Sequence, residues 1–325
     1  MVCQKKFVLK KGHVCKLTTL LTIVCAIFFF YMKIFIKVPL VPIVFNYTDP
    51  FKHPQHNTTQ QVRKLKIVIP FQIKQIEKVL DNISKWKKFK PCDHKNSTIE
   101  NIELIFYMSY LNADQDIVKK LSLISNESLE CFADTQMVFY KYNSIGEDQH
   151  VTGSRLMFES MLNKSNEHFN HTDFVFYMEP DVRPIKSNWL NALINEIDSG
   201  KFWIKGSCFR GDLTQFMKND LYVPNYFHIN GNALYNIGSD DFRHFYFKVL
   251  RPYVVKKNGD SKNAYDTDFF EFFFDNNNYE TTRDVIHQFH LSDFIQNLWK
   301  TKYIVDEFTK KYANTYFVHG GFPCY

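Results

Sequence analysis

The chain has 325 residues, 45% of them hydrophobic and 17% aromatic, which is the composition of a globular chain with a full core and excludes a disordered or collagen-like one. The formal net charge of +6 is concentrated near the start, where the first sixteen residues hold five lysines: Lys5, Lys6, Lys10, Lys11 and Lys16. The remainder is close to neutral. This argues against a nucleic-acid partner, because phosphate binding needs a basic patch on the folded domain.

An apolar run follows these lysines and ends at Ile36, with Lys33 as its single charge. A transmembrane helix needs about 20 apolar residues, and a lysine near its end can extend toward the headgroups. We therefore predict a transmembrane signal anchor at 17–36 and a cytosolic tail at 1–16, since positive charge is retained on the cytosolic side. A cleaved signal peptide is the alternative, but no small-x-small cleavage pattern follows the run.

The residues beyond the anchor carry signals of an oxidising lumen. All seven Asn-x-Ser/Thr sequons lie there, beginning at Asn46, Asn57, Asn82, Asn96, Asn126, Asn163 and Asn170. Four cysteines also lie there, and they allow two disulfides whose pairing the sequence leaves open: Cys92, Cys131, Cys208 and Cys324. Residues 37–64 are proline-containing and without sustained periodicity, which favours a stem before a luminal domain at 65–325. An irregular part of the domain is the alternative.

The predicted luminal domain alternates strand and helix patterns. Apolar runs predict strands at 65–71, 102–110, 136–142 and 174–178, and helical spacing predicts helices at 76–86, 152–162 and 187–197. Pro70 is expected to end the first strand, and Pro91 to end the first helical segment. Strands separated by helices imply an α/β domain with a mostly parallel sheet, whose ligands bind beyond the carboxyl ends of the strands.

Two acids flank a proline at the end of the fourth predicted strand, in the segment Glu179-Pro180-Asp181-Val182-Arg183. Carboxylates two residues apart on extended backbone project in similar directions, and hard oxygen ligands of this kind suit Mg²⁺ or Mn²⁺. The alternative is that both acids are solvated turn residues.

The order of hydrophobic strand, Glu-Pro-Asp, Pro184, Trp189 and Leu190 resembles the acidic metal-binding motif of glycosyltransferases with the GT-A fold. The resemblance implies a Rossmann-like domain that binds a nucleotide-sugar donor, with Mn²⁺ (or Mg²⁺) held by Asp181. Glu179 departs from the commonest Asp-x-Asp form, so it either binds the metal or contacts the donor, and Arg183 is a further candidate for donor binding.

A histidine and two glycines follow a short apolar run near the C-terminus, in Tyr316-Phe317-Val318-His319-Gly320-Gly321. The resemblance implies that His319 completes the metal site, since imidazole suits a mixed nitrogen and oxygen set. Gly320 would let the backbone approach the phosphates closely. A surface histidine in a terminal turn is the alternative.

The segment Asn230-Gly231-Asn232 resembles the loop that contacts the acceptor or the donor sugar in these transferases. Amide side chains offer both hydrogen-bond donors and acceptors to sugar hydroxyls, and Gly231 allows close approach of the chain. An ordinary Asn-Gly turn is the alternative.

Two acids precede an aromatic helical segment, and either is a candidate catalytic base for an inverting transferase: Asp268 first and Asp266 next. The alternative is stabilisation of a helix N-terminus. We expect the following phenylalanines to belong to the core: Phe269, Phe270, Phe272, Phe273 and Phe274.

The sequence thus favours a metal-dependent glycosyltransferase that acts on a glycan or glycoprotein acceptor in the Golgi or endoplasmic reticulum. A catalytically silent glycan-binding protein on the same fold and a hydrolase of nucleotide sugars are the competing functions. No Gly-x-x-x-x-Gly-Lys-Ser/Thr loop and no Gly-x-Ser-x-Gly elbow are present, which argues against a kinase or a serine hydrolase that uses one.

Overall fold

The computed structural model describes residues 64–93, 102–110, 129–144, 146–212, 224–260 and 264–324. All of them belong to one compact unit, Gln60–Tyr325. The predicted tail and anchor, and the predicted stem up to residue 63, lie outside the described residues. Among the described residues, no helix is both apolar and long enough to cross a membrane.

A mixed sheet of seven strands forms the centre of the described fold. Its strands, in chain order, are β1 (Leu65–Gln72), β2 (Ile102–Tyr110), β3 (Asp134–Lys141), β4 (Phe174–Tyr177), β6 (Ile204–Gly206), β7 (Leu234–Tyr235) and β8 (Phe289–Leu291). They are ordered β3-β2-β1-β4-β7-β6-β8. Strands β3, β2, β1 and β4 are parallel, and β7 is antiparallel to both of its neighbours. The predicted α/β domain with a mostly parallel mixed sheet is confirmed.

Two small sheets lie outside the central one. The first has the order β5 (Val182–Pro184), β11 (Phe317–His319) and β9 (Ile295–Asn297), and the second pairs β10 (Lys302–Ile304) with β12 (Phe322–Cys324). Strand β11 is antiparallel to β5 and parallel to β9. The first small sheet therefore joins the C-terminal segment to the residues that follow β4.

The helices cover both faces of the central sheet. They are α1 (Ile76–Ser84), α2 (His150–Leu162), α3 (Trp189–Asp198), α4 (Pro224–Phe227), α5 (Asp240–His244), α6 (Arg251–Asn258), α7 (Tyr265–Phe273), α8 (Tyr279–Val285) and α9 (Val305–Lys311). A π-helical segment, Phe245–Leu250, joins α5 to α6, and short 3₁₀ turns occupy Ile73–Gln75, Lys85–Lys87, Asn276–Asn278 and Ile286–Gln288.

Both faces of β1 are buried, as the continuous apolar run predicts. Ile67 and Ile69 belong to the hydrophobic cluster that contains Trp86 and Trp189. Val68 belongs to the cluster on the other face. Alternate side chains of one strand thus enter two cores, which explains why this strand lacks an apolar-polar alternation.

Pro70 does not end β1, which continues to Gln72. The carbonyl of Val68 accepts a hydrogen bond from Met178 N–H (2.8 Å), so the backbone polar groups of Val68 point toward β4. The backbone nitrogen of Pro70, two residues further on, points to the same side. Strand β4 pairs with β1 only as far as Val68. The missing N–H of Pro70 therefore lies where no ladder bond is needed.

One disulfide joins Cys92 to Cys131, both of which are buried. The other two cysteines of the described residues are free thiols, Cys208 half-buried and Cys324 exposed. The expectation of two disulfides is therefore correct for one pair and wrong for the other.

Candidate functional site

Glu179 and Asp181 lie where β4 leaves the central sheet. Strand β4 ends at Tyr177, and Val182 N–H donates to the Glu179 carbonyl (2.9 Å), which closes a turn around Pro180. Strand β5 begins directly after Asp181. The two acids therefore stand at the carboxyl edge of the sheet, between two strands that fix both ends of the turn.

His319 reaches these acids through the first small sheet. In the antiparallel pairing of β11 with β5, His319 is directly opposite Val182, the neighbour of Asp181. Its Nε2 lies 3.4 Å from Oε2 of Glu179 and 3.4 Å from Oδ1 of Asp181. The ligand atoms of the three residues all lie within 4.8 Å of one another, so they could hold one metal ion.

The chemistry of this set fits a divalent cation. Two carboxylates and one imidazole offer hard oxygen ligands and one nitrogen. This set suits Mn²⁺ better than Mg²⁺, because Mg²⁺ prefers oxygen ligands. Nδ1 of His319 lies 3.2 Å from Oδ1 of Asn297, and that oxygen also accepts from Trp299 N–H (3.3 Å). Nδ1 therefore carries the hydrogen, and Nε2 is the atom left to face a metal.

The same geometry shifts the pKa values of the set. Burial acts to lower the pKa of His319, but hydrogen bonds to Asp181 and Glu179 and their charges outweigh it and raise the pKa to about 10. Burial acts to raise the pKa of Asp181, yet the hydrogen bond and charge of His319 hold it below its usual value. The site therefore attracts positive charge strongly.

Asn232 fixes the orientation of Glu179. Its Oδ1 accepts from Glu179 N–H (2.7 Å), and its Nδ2 donates to Oε2 of Glu179 (2.9 Å) and to Oδ1 of Asn230 (2.8 Å). Asn232 is only 1% exposed. Asn232 is therefore a positioning residue for Glu179. The side-chain amide of Asn230 is less buried and lies closer to solvent.

Gly231 connects this loop to Asp266 on α7. Its N–H donates to Oδ2 of Asp266 (2.8 Å), and that oxygen lies 3.2 Å from Nε2 of His228. A Cβ atom at position 231 would lie 2.3 Å from the Tyr265 hydroxyl, so the close approach requires glycine. The predicted loop and one of the two predicted acids are thus brought together.

Asp266 remains a carboxylate in this setting. Burial acts to raise its pKa, but the charge and hydrogen bond of His228, with the N–H groups of Gly231 and Thr267, hold the pKa below its usual value. A negative charge therefore lies beside the Asn230-Gly231-Asn232 loop.

Asp268 is not brought to this loop. It is fully buried, and its Oδ2 lies 3.2 Å from the guanidinium of Arg251, which also pairs with Glu159 (2.9 Å) and Asp260 (2.6 Å). In a helix, residues two positions apart point about 200° apart, so Asp266 and Asp268 face opposite sides of α7. Asp268 thus pairs with Arg251 inside the fold, away from the loop, and its assignment as the catalytic base stays a prediction.

The remaining predicted residues flank the site. Arg183 lies half-buried on β5, paired in register with Val318. Gly320 has φ +66°, a left-handed conformation that favours glycine, and a Cβ there would press against Trp299 (3.2 Å). This conformation accounts for Gly320 without a phosphate contact.

Three supporting residues were not predicted from the sequence. Asn297 ends β9 and contacts His319, while Ser207 accepts from Asn297 N–H with its Oγ (3.1 Å) and from Asn230 N–H with its carbonyl (3.0 Å). His228, whose Nε2 lies 3.2 Å from Oδ2 of Asp266, is the third. Single polar residues at strand ends carry no spacing pattern, so the sequence held no signal that distinguishes them.

No family model matches the chain, and no curated protein sequence matches it. Similar solved structures include the galactosyltransferase LgtC in complex with donor and acceptor sugar analogues, which is 14% identical, covers 78% of this chain and 86% of its own, and has a TM-score of 0.46.

Mouse xyloside xylosyltransferase 1 is 11% identical over 79% of this chain and 97% of its own, with a TM-score of 0.44. The glycosyltransferase GlyE of Streptococcus pneumoniae TIGR4 is 14% identical over 71% and 46%, with a TM-score of 0.40. By name these neighbours belong to the class that the sequence resembles. Because the similarities are weak, the chemistry of the site carries the functional proposal.

Proposed function

We propose that this chain is a metal-dependent glycosyltransferase, which moves a sugar from a nucleotide-diphosphate donor to a glycan or glycoprotein acceptor. The observation that carries the proposal is the convergence of Glu179, Asp181 and His319 at the carboxyl edge of the sheet. This edge is where open α/β sheets bind their ligands. Two carboxylates and one imidazole would hold a divalent cation, which would supply charge to the phosphate oxygens of a donor.

Asp181, Glu179 and His319 would hold Mn²⁺ or Mg²⁺, which supplies the charge that neutralises a diphosphate leaving group when bound. Asn297 keeps Nε2 of His319 directed at the site, and Asn232 keeps Glu179 there. Arg183 and Gly320 stay candidates for contact with the donor.

On the acceptor side, Asp266 is the better candidate for a base or for a sugar contact, because it is an ionised carboxylate beside Asn230 and Gly231. Asp268, our first choice from the sequence, faces Arg251 instead.

We also propose that residues 17–36 anchor the chain in the membrane of the Golgi or endoplasmic reticulum, with residues 65–325 in the lumen. Support comes from the lysine-rich leader, the apolar run and the sequons. The disulfide between Cys92 and Cys131 suits an oxidising compartment.

The test is calorimetric titration of the full-length protein in detergent with UDP and with GDP, with and without Mn²⁺. We expect one nucleotide to bind only with the metal, and Asp181→Asn to weaken that binding at least tenfold. Asp284→Asn is the matched control, because Asp284 is an exposed acid on α8. Binding that needs no metal, or that survives Asp181→Asn, would contradict the proposal. Glycan binding without any nucleotide would favour a silent glycan-binding protein.

A further inference from the structure

Three phenylalanine rings form a partly exposed row on α4, on α7 and at the residue that follows α7. Phe227 is 63% exposed and Phe274 is 72% exposed, while Phe270 between them is buried. The ring of Phe270 is nearly parallel to both neighbours, with centroid distances of 6.2 Å to Phe227 and 4.0 Å to Phe274. We call these three residues the phenylalanine platform. The sequence-based expectation that Phe274 belongs to the core is wrong.

The platform is continuous with the acceptor side of the site. Phe227 directly precedes His228, which contacts Asp266. Phe270 follows Asp266 by four residues on α7, so it lies on the same helix face, about 6 Å further along the axis, and Phe274 lies about 12 Å along. The platform therefore begins one helical turn from the candidate base and leads away from it.

The carboxyl end of β6 anchors the other side of the platform. The thiol of Cys208, two residues beyond β6, donates to the Phe227 carbonyl (3.0 Å). Its neighbour Ser207 bonds to Asn230 and Asn297 at the site. The rings thus belong to the same edge of the sheet as the metal ligands.

The chemistry of the platform defines what can cover it. Phenylalanine has no hydrogen-bonding group, so two exposed rings offer only apolar contact, whereas the adjoining site offers a carboxylate and amides. A ligand that matches both has a sugar hydroxyl at one end and an apolar group at the other. Apolar surface beside a polar site is typical of small-molecule binding sites.

We propose that the phenylalanine platform binds the apolar aglycone of the acceptor substrate. This inference rests on the proposed transferase function, because it takes Asp266 as the place of the reacting hydroxyl. It assigns to this protein a glycoside acceptor with an aromatic or alkyl aglycone, rather than a free sugar.

The experiment compares matched glycosides that differ only in the aglycone. Methyl and p-nitrophenyl β-glycosides of galactose, glucose and xylose are titrated into the full-length protein with Mn²⁺ and the nucleotide that binds. We expect at least one p-nitrophenyl glycoside to bind at least tenfold more tightly than its methyl counterpart. Phe227→Ala and Phe274→Ala should each remove most of this preference and leave the affinity for the methyl glycoside unchanged.

Phe139→Ala is the matched control, because Phe139 is an exposed phenylalanine on β3, five strand spacings from β6 in the sheet. It should keep the preference. The inference is overturned if no pair shows an aglycone preference, or if both platform variants retain it. A change in sedimentation of these variants with the preference intact would make the rings a protein interface and also overturn it. Nucleotide binding measured on the same samples tests the transferase function separately.

Discussion

At the scale of single residues, Asp268 makes stability depend on pH. Burial raises the pKa of its carboxyl to about 7, although Arg251 opposes the rise. Among the described residues, its Oδ1 has no hydrogen-bond partner. Between the usual pKa of an aspartate and about 7, the folded state keeps a proton on Asp268 that the unfolded state has released. The stability that comes from this proton is complete at low pH and is lost as pH rises through about 7.

We predict that Asp268→Asn becomes more stable relative to the wild type as pH rises from 5 to 8. One pKa unit corresponds to about 1.4 kcal/mol, so the relative change should be on the order of 2–3 kcal/mol. Urea unfolding of both proteins at the two pH values measures it. An unchanged difference between them would mean that Asp268 ionises equally in both states.

Asn82 begins a glycosylation sequon but is buried inside the fold. It is 2% exposed, and its Nδ2 donates to the carbonyl of Val182 (2.5 Å), next to Asp181. That nitrogen is the atom to which a glycan would be attached. Asn163 and Asn170, in contrast, are exposed.

For protein made in eukaryotic cells, we predict glycans on Asn163 and Asn170 and an unmodified Asn82, as measured by peptide mass mapping. Asn82→Ala should cost about 1–3 kcal/mol of stability, because it leaves the buried Val182 carbonyl unpaired. Ser84→Ala removes the same sequon but keeps Asn82, so it should change neither glycan mass nor stability by a measurable amount. A glycan found on Asn82 in folded protein would refute the assignment.

At the scale of elements, the disulfide joins two segments that are distant along the chain. Cys92 follows α1, and Cys131 precedes β3, with a sequence separation of 39. Both cysteines belong to the cluster that contains Trp86 and Trp189. The crosslink therefore reduces the conformational entropy of the unfolded chain, in segments that form one of the two cores beside β1.

We predict that Cys92→Ser combined with Cys131→Ser lowers the free energy of unfolding by about 2–4 kcal/mol. Cys324→Ser should leave it within about 0.5 kcal/mol, because Cys324 is an exposed free thiol. A reducing agent should lower the melting temperature of the wild type but not of the double variant. Equal melting of all three proteins would show that the disulfide does not form.

Element positions follow from the sequence wherever the pattern is local. The strand at Ile102–Tyr110 has the predicted bounds, and the other three predicted strands and the three predicted helices differ by one or two residues at an end. Pro70 is the exception, because it does not end β1 as predicted. Whether a strand tolerates proline depends on which neighbour lies beside its nitrogen, and no local pattern contains that information.

At the scale of the whole molecule, we propose that residues 17–36, which are outside the described part of the chain, attach the protein to a membrane. We predict that the full-length protein stays in the membrane pellet after alkaline carbonate extraction. Ile23→Lys combined with Ile27→Lys should release it, because each charge near the centre of a span costs about 2.5–3.5 kcal/mol.

The matched control places the same two charges in the predicted stem, at Ile43 and Phe45. Ile43→Lys combined with Phe45→Lys should stay in the pellet. Release of the wild type by carbonate would reject the anchor, and retention of the variant with charges at 23 and 27 would place the attachment elsewhere.

The sequence by itself determined the α/β class, the acids that follow the fourth strand and the candidate histidine near the C-terminus. These depend on periodicity and on residue chemistry, which are local properties. Only the tertiary structure decided that β11 pairs with β5 and thereby brings His319 to Asp181. It also decided that Asp266 faces the site while Asp268 is buried against Arg251, because helix phase and strand pairing are set by packing between segments distant in sequence.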